Sequence, residues 1–168
     1  MLQGFLLDVT GHGLGTAVQT AAIQVLLKRM YELNVPLEEK LIWLDKESET
    51  YFEEACFAAG IAFELDTKAK KLRYVGAGIT EFWANRHRVI VPGSFLGIGL
   101  NQGHEIQLRS IAKGDLLVFT TDGLTDVFTA LDELPVEAGI DAVMSFLDDF
   151  LAGVELKDDV TAIVLQMR

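Results

Sequence analysis

The stretch Leu6-Leu7-Asp8-Val9-Thr10-Gly11-His12-Gly13 runs from an apolar segment into an acid, two glycines and a histidine. A helical pattern begins almost at once afterwards. Such a passage delivers a carboxylate to the mouth of a sheet. The strand fixes Asp8, and the glycines let backbone and ligand approach closely. Two further aspartate clusters fall at strand ends, Thr121-Asp122-Gly123 and Asp158-Asp159-Val160-Thr161. The sequence thus poses one question: whether these three points share a metal site.

Working outward, Gly4 to Val9 reads as a strand and Thr10 to Gly15 as a glycine-rich loop, with Thr16 placed to cap the next helix. Val18, Ala21, Ala22, Val25, Leu26, Met30 and Leu33 recur at helical spacing and predict one apolar face. Asn34 and Pro36 end that helix. A second begins at Pro36, where Glu38 and Glu39 suit its N-terminal end, and Leu37, Leu41, Leu44 and Tyr51 are its expected buried side.

The middle of the chain reads as strands Phe57 to Leu65, Leu72 to Ala77, Phe82 to Ala84 and Val89 to Val91. Asp66-Thr67-Lys68 is the first turn, and the spacing predicts an antiparallel meander. A loop from Pro92 passes Gly97 and Gly99. Ile106 and Leu108 then alternate with Glu105, Gln107 and Arg109, as in a half-buried strand. Lys113-Gly114-Asp115 turns into the apolar strand Leu116 to Thr120. A short helix follows to about Leu131. A longer one begins at Pro135, with Val136, Ile140, Val143, Phe146, Leu147 and Phe150 as its stripe. Leu151 to Lys157 is a loop, and Val160 to Leu165 is the closing strand. This order predicts an α+β layered sandwich with antiparallel sheets in one domain, 1–168, rather than a doubly wound parallel sheet.

Composition narrows the function. Half of the 168 residues are hydrophobic and 23% are charged, which suits a folded domain. No apolar run nears the ~20 residues that span a bilayer, and Met1-Leu2-Gln3-Gly4 lacks the pattern of a secretory signal. Cys56, without a partner cysteine, fits a reducing cytoplasm. The net charge of −11 argues against nucleic acid as a partner. It leaves a phosphorylated substrate open, because a cation among carboxylates inverts the local charge.

If the strands carrying Asp8, Asp122 and Asp158 are neighbours, three carboxylates meet at one edge. Their mutual repulsion would be relieved by a divalent ion. Oxygen-only ligands favour Mg²⁺ or Mn²⁺ over zinc. Two such ions about 3.5–4 Å apart can activate a water against a phosphoryl group without a side-chain nucleophile. The plainer readings stay open here. An aspartate beside glycine is most often a turn residue, His12 more often orients a loop than ligates metal, and Cys56, Trp43 and Trp83 read as packing residues. A nucleotide-binding loop is disfavoured, since no lysine or P-loop spacing accompanies the glycines.

Asp8-Val9-Thr10-Gly11-His12-Gly13, Thr121-Asp122-Gly123-Leu124-Thr125-Asp126 and Asp158-Asp159-Val160-Thr161, in that order, resemble the SpoIIE-type phosphatases. These are the bacterial branch of the PP2C-like (PPM) metal-dependent serine/threonine phosphatases. Tyr74-Val75-Gly76-Ala77-Gly78 looks like that family's Asn-Ala-Gly-His segment, and Phe95-Leu96-Gly97 like its Leu-Gly element. The resemblance implies an αββα sandwich, two antiparallel sheets flanked by helices, with two Mn²⁺ or Mg²⁺ ions at one end. It implies that Asp8 bridges the ions, that the Val9 carbonyl binds one, and that Asp122 and Asp158 supply further ligands. It also implies a phosphorylated protein substrate, such as an anti-sigma-factor antagonist. Some eukaryotic relatives place a histidine, proposed as leaving-group acid, two positions after the first aspartate. Thr10 stands there in this chain, so no general acid is assigned. Members usually carry earlier strands with a Gly-Asp metal contact, whereas this chain starts at the Asp8 strand and lacks the usual Asn and His around Gly76. An N-terminally truncated fragment or a shortened domain with a weakened site is the resulting expectation. A non-catalytic module that keeps the fold and binds a partner is the competing one.

Overall fold

The computed structural model describes residues 1–52, 56–99, 105–128 and 133–168. In chain order the elements are β1 (Leu2–Val9), α1 (Leu14–Glu32), α2 (Leu37–Ser48), β2 (Ala58–Asp66), β3 (Lys71–Ala77), β4 (Glu81–Ala84) and β5 (His87–Ile90). There follow β6 (Gln107–Ser110), β7 (Leu116–Thr120), α3 (Asp122–Thr125), a 3-10 turn at Val136–Ala138, α4 (Ile140–Ala152) and β8 (Ala162–Gln166). The strands form two four-stranded sheets, ordered β1-β2-β3-β6 and β5-β4-β7-β8. The chain divides into two compact units, Met1–Thr80 with Val91–Arg109, and Glu81–Ile90 with Ser110–Arg168.

In the first unit, β1 pairs antiparallel with β2 along its whole length, from Leu2↔Leu65 to Val9↔Ala58. The β2–β3 turn is fixed by Asp66, whose Oδ1 accepts the N–H groups of Lys68 and Ala69 at 2.9 and 2.8 Å. Those bonds favour the ionised form and hold the Asp66 carboxyl below its usual range, the Ala69 bond being the larger cause. The two helices bury Ile23, Leu26, Met30, Leu37, Leu41 and Leu44 against Ala58, Ala62, Val75, Ala77 and Leu96. Small alanines on the strands suit this packing, because they leave room for the larger helix side chains.

The buried face of α1 includes Leu26 and Met30, as expected, but is otherwise rotated from the expected one. Gln19, Ile23, Leu26 and Met30 are buried, whereas Val18 and Val25 are 64% and 61% exposed. Apolar residues occupy both sides of this helix, so periodicity alone does not select the packed side. Its N-cap is Gly13, and Thr16 lies inside the first turn. Tyr51 falls beyond α2 and is exposed.

The strand run also divides differently. The chain leaves the first sheet after β3 and enters the second at β4, so the expected meander is two hairpins in separate sheets. At the far edge of the first sheet, β6 half-buries Gln107 and Arg109 and leaves Leu108 65% exposed, the reverse of the expected alternation. Arg109 acts electrostatically on Tyr74: burial raises the Tyr74 hydroxyl above its ordinary range, and the Arg109 charge opposes this.

In the second unit β7 is buried at every position. Phe82 and Phe119 are directly paired across β4 and β7 and stack at 4.7 Å. Val143 and Leu147 of α4 join Trp83, Leu116 and Val118 in the core, and Phe146 and Phe150 pack on Phe128. The short helix after Gly123 ends at Thr125. Its expected continuation to Leu131 runs partly outside the described residues.

Candidate metal-binding site

Thr121 is the hinge point of the second unit's acidic edge. Its N–H donates to the Thr161 carbonyl at 3.1 Å, and its Oγ1 accepts the Thr161 N–H at 3.1 Å. Because β7 and β8 are antiparallel neighbours, with Thr120 opposite Ala162, these bonds extend their ladder past the strand ends. They bring Asp122, just after β7, beside Asp158 and Asp159, just before β8. Gly123 completes the approach. A Cβ there would lie 2.3 Å from the Asp159 carbonyl oxygen and 3.4 Å from that of Asp158. Only glycine permits so close a passage of two backbones.

Both carboxylates are exposed. That of Asp122 makes no hydrogen bond or ion pair among the described residues, while Asp158 Oδ1 accepts the N–H of Asp159 at 2.8 Å. An oxygen-only, solvent-facing pair set on fixed backbone suits a hard divalent cation, and these residues fit that group chemically. Among the described residues, neither unit by itself gathers three or more His, Cys, Asp or Glu side chains poised to hold an ion.

Asp8 belongs to the first unit, on β1, so its strand is a sheet neighbour of neither β7 nor β8. It is half-buried and lies opposite Ala59. The adjacent Val9 has a distinctive backbone orientation. Thr10 donates its N–H to the Phe57 carbonyl at 3.0 Å, and Ala58 exchanges both of its backbone bonds with Leu96. In an antiparallel ladder bonded and non-bonded pairs alternate, so the Val9–Ala58 pair is a non-bonded one. The Val9 N–H and C=O therefore point away from β2, along the outer side of a strand that ends its sheet. A backbone carbonyl so directed can serve as a cation ligand.

Thr10 had no role assigned from sequence beyond not being histidine. Its Oγ1 donates to the Phe57 carbonyl at 2.7 Å and accepts the Phe57 N–H at 2.9 Å. The hydroxyl is thus fully used in fastening the end of β1. His12 is exposed and makes no side-chain hydrogen bond among the described residues, so Thr10, not His12, anchors this loop. Cys56 is a half-buried free thiol, Trp83 lies in the core, and half-buried Trp43 packs under the Arg29 guanidinium, 5.9 Å from its ring centre.

A recess of about 330 Å³ lies at the other end of the second sheet, lined by Asn85, Arg86, His87, Gly114, Val136 and Glu137. Asn85 accepts the Leu116 N–H at the start of β7, so this recess is separated from Asp122 by the length of that strand. No helix among the described residues is long and apolar enough to cross a membrane.

Comparison with known proteins agrees with this architecture. The chain is similar to the RsbU and RsbW domains of Rv1364c from Mycobacterium tuberculosis, at 20% identity and a TM-score of 0.80, over 99% of this chain and 51% of that one. It is similar to the PP2C phosphatase domain, with a fragment of the regulatory domain, of the cell fate determinant SpoIIE from Bacillus subtilis, at 15% identity and a TM-score of 0.69, over 98% and 54%. It is also similar to the catalytic domain of the serine/threonine protein phosphatase PstP in complex with two manganese ions, at 16% identity and a TM-score of 0.68, over 96% and 86%. The chain therefore spans about half the length of the first two solved chains and most of the third. At these identities the likeness establishes the PP2C-like fold. No curated protein sequence matches this chain. The family model of Stage II sporulation protein E (SpoIIE) matches residues 3–168, and the chain belongs to that family, a bacterial branch of the PPM phosphatases.

Proposed function

We propose that this chain is a Mn²⁺- or Mg²⁺-dependent protein phosphatase that hydrolyses phosphoserine and phosphothreonine in a bacterial cytoplasmic signalling pathway. An anti-sigma-factor antagonist is a fitting substrate. The observation that carries this reading is the Asp122–Asp158 edge, where Thr121 and Gly123 bring the backbones bearing two exposed aspartates close together. The resemblance of the Asp8-Val9-Thr10-Gly11-His12-Gly13 stretch to the family's motif supports Asp8 and the Val9 carbonyl as the remaining ligands of two ions. The outward direction of that carbonyl supports its assignment. When bound, such ions supply an activated water and neutralise charge on the phosphoryl group. The protein's own part is to fix the backbone carrying each donor: Thr10 fastens the end of β1 to Phe57, and Thr121 fastens the segment before Asp122 to Thr161.

Hydrolysis of an aryl phosphate tests this. Turnover should require Mn²⁺ or Mg²⁺, cease with a chelator, and fall at least ~100-fold in Asp122→Ala. Undiminished turnover without metal would sink the mechanism.

A second reading is a partner-binding module that retains the fold without the activity. It is favoured by the segment Gly76-Ala77-Gly78-Ile79, which departs from the family's Asn-Ala-Gly-His pattern at both polar positions. Calorimetry showing two tightly bound Mn²⁺ ions together with metal-dependent turnover would exclude it.

A further inference from the structure

Asp45, on α2, is a carboxylate with no solvent exposure, on a helix that buries Leu37, Leu41 and Leu44 in the first unit's core and Lys40 and Ser48 beside them. Burying a charge-bearing group there is costly unless it is hydrogen-bonded, and an apolar residue of similar size would serve the core at least as well. One of its hydrogen bonds reaches the loop after β5. Its Oδ1 accepts the N–H of Gly97 at 2.7 Å. The preceding residue, Leu96, donates to the Ala58 carbonyl at 2.8 Å and accepts the Ala58 N–H at 3.1 Å. Ala58 is the partner of Val9 at the end of β1.

A second tie runs in parallel. The Phe95 ring lies 4.5 Å from that of Phe57, and Phe57 is the residue to which Thr10 is fastened through three hydrogen bonds. The segment from Phe95 to Gly97 thus braces the two residues opposite Val9 and Thr10. Gly97 cannot be braced by a side chain of its own, since a Cβ there would lie 2.0 Å from the Phe52 ring. The anchor has to come from α2.

We propose that Asp45 is a positioning residue for the metal site: by holding Gly97 it seats Leu96 on Ala58, and so sets where β1 presents Asp8 and the Val9 carbonyl. This rests on the reading of Asp8 and Val9 as metal ligands given above. Groups that hydrogen-bond a metal ligand directly change metal affinity by about 10- to 100-fold when removed, and Asp45, which acts through Gly97, Leu96 and Ala58, belongs at the low end of that range.

The test compares Asp45→Ala and Asp45→Asn with Leu44→Ala, a core truncation on the same helix. Mn²⁺ affinity is measured by calorimetry, and amide exchange is followed by mass spectrometry over Leu7–Thr10 and Phe57–Ala59. Asp45→Ala should weaken Mn²⁺ binding about tenfold and speed exchange in both segments. Asp45→Asn keeps an oxygen acceptor at the same position and should behave as the native protein. Leu44→Ala should lower the melting temperature but leave Mn²⁺ affinity unchanged. Should Asp45→Ala not fold, Asp45→Leu removes the acceptor while keeping the space filled. Unchanged affinity in the acceptor-free variant, faster exchange confined to Gly97, or an equal affinity loss in Leu44→Ala would each overturn the proposal. If the native protein binds no Mn²⁺, the metal reading fails separately, and exchange at Thr10 and Ala58 alone decides whether Asp45 positions β1.

Discussion

Gly123 passes the Asp159 carbonyl so closely that a methyl group on its Cα would sit 2.3 Å from that oxygen. The obstacle is backbone, held from the other side by the Thr121–Thr161 bonds, so it cannot swing away as a side chain could. Gly123→Ala should therefore destabilise the second unit by about 1–3 kcal/mol, the usual range for overpacking. Denaturant titration measures this. Metal-dependent turnover should fall with it, because relief of the clash moves Asp158 away from Asp122.

Thr10 offers a cleaner separation of structure from chemistry. Thr10→Val keeps the shape but leaves the Phe57 N–H without its partner and removes one donor from the Phe57 carbonyl. An orphaned buried polar group costs about 1–3 kcal/mol, and the partly buried Phe57 N–H belongs at the low end of that range. Thr10→Ser retains the hydroxyl and should lie within about 0.5 kcal/mol of the native protein, the range of changes that spare such features. Equal losses in the two variants would show that the methyl group, and not the hydrogen bonds, matters.

The two faces of α1 should respond unequally. Ile23 is 1% exposed, and Ile23→Ala should cost about 2–5 kcal/mol. Val18→Ser, on the exposed side, should change stability by no more than about 0.5 kcal/mol. Thermal or chemical unfolding of the pair checks which side of the helix meets the sheet.

The Asp66 turn gives a pH signature. Its carboxyl is held below the ordinary range by the Ala69 and Lys68 N–H groups, so the folded state binds its proton less readily than the unfolded chain. The stabilisation is present above the unfolded pKa and is lost as pH falls through the folded one. The stability gap between the native protein and Asp66→Ala should accordingly be widest at neutral pH and narrow in acid. A gap that widens on acidification would contradict the assignment.

Much of this was legible in the chain because it is local. The strands leading to Asp8 and Asp122 announce themselves by apolar runs followed by an acid, and the Asp66 and Gly114 turns by their residue types. What escaped is set by distant partners. Alternating strands between Leu72 and Val91 fit one meander as well as two hairpins, and nothing in Gly78-Ile79-Thr80 says that the chain changes sheets. Apolar residues on both sides of α1 hide which side is buried. Leu108 follows a strand pattern whose direction depends on its seat beside β3. Asp45 reads as an ordinary surface acid on a helix, since its burial depends on a loop some fifty residues away.

Gly76 and Gly93 give the departure from the family pattern a structural consequence. The segment resembling Asn-Ala-Gly-His has Gly76 where the amide is usual. Here a Cβ on Gly76 would lie 2.7 Å from the Pro92 carbonyl oxygen, and one on Gly93 would lie 2.1 Å from the Gly76 carbonyl oxygen. Two bare backbones have closed over the place a side chain would occupy. Placing asparagine at Gly76 would therefore require the Pro92–Gly93 segment to move aside, and a side chain at Gly93 would require the same of Gly76.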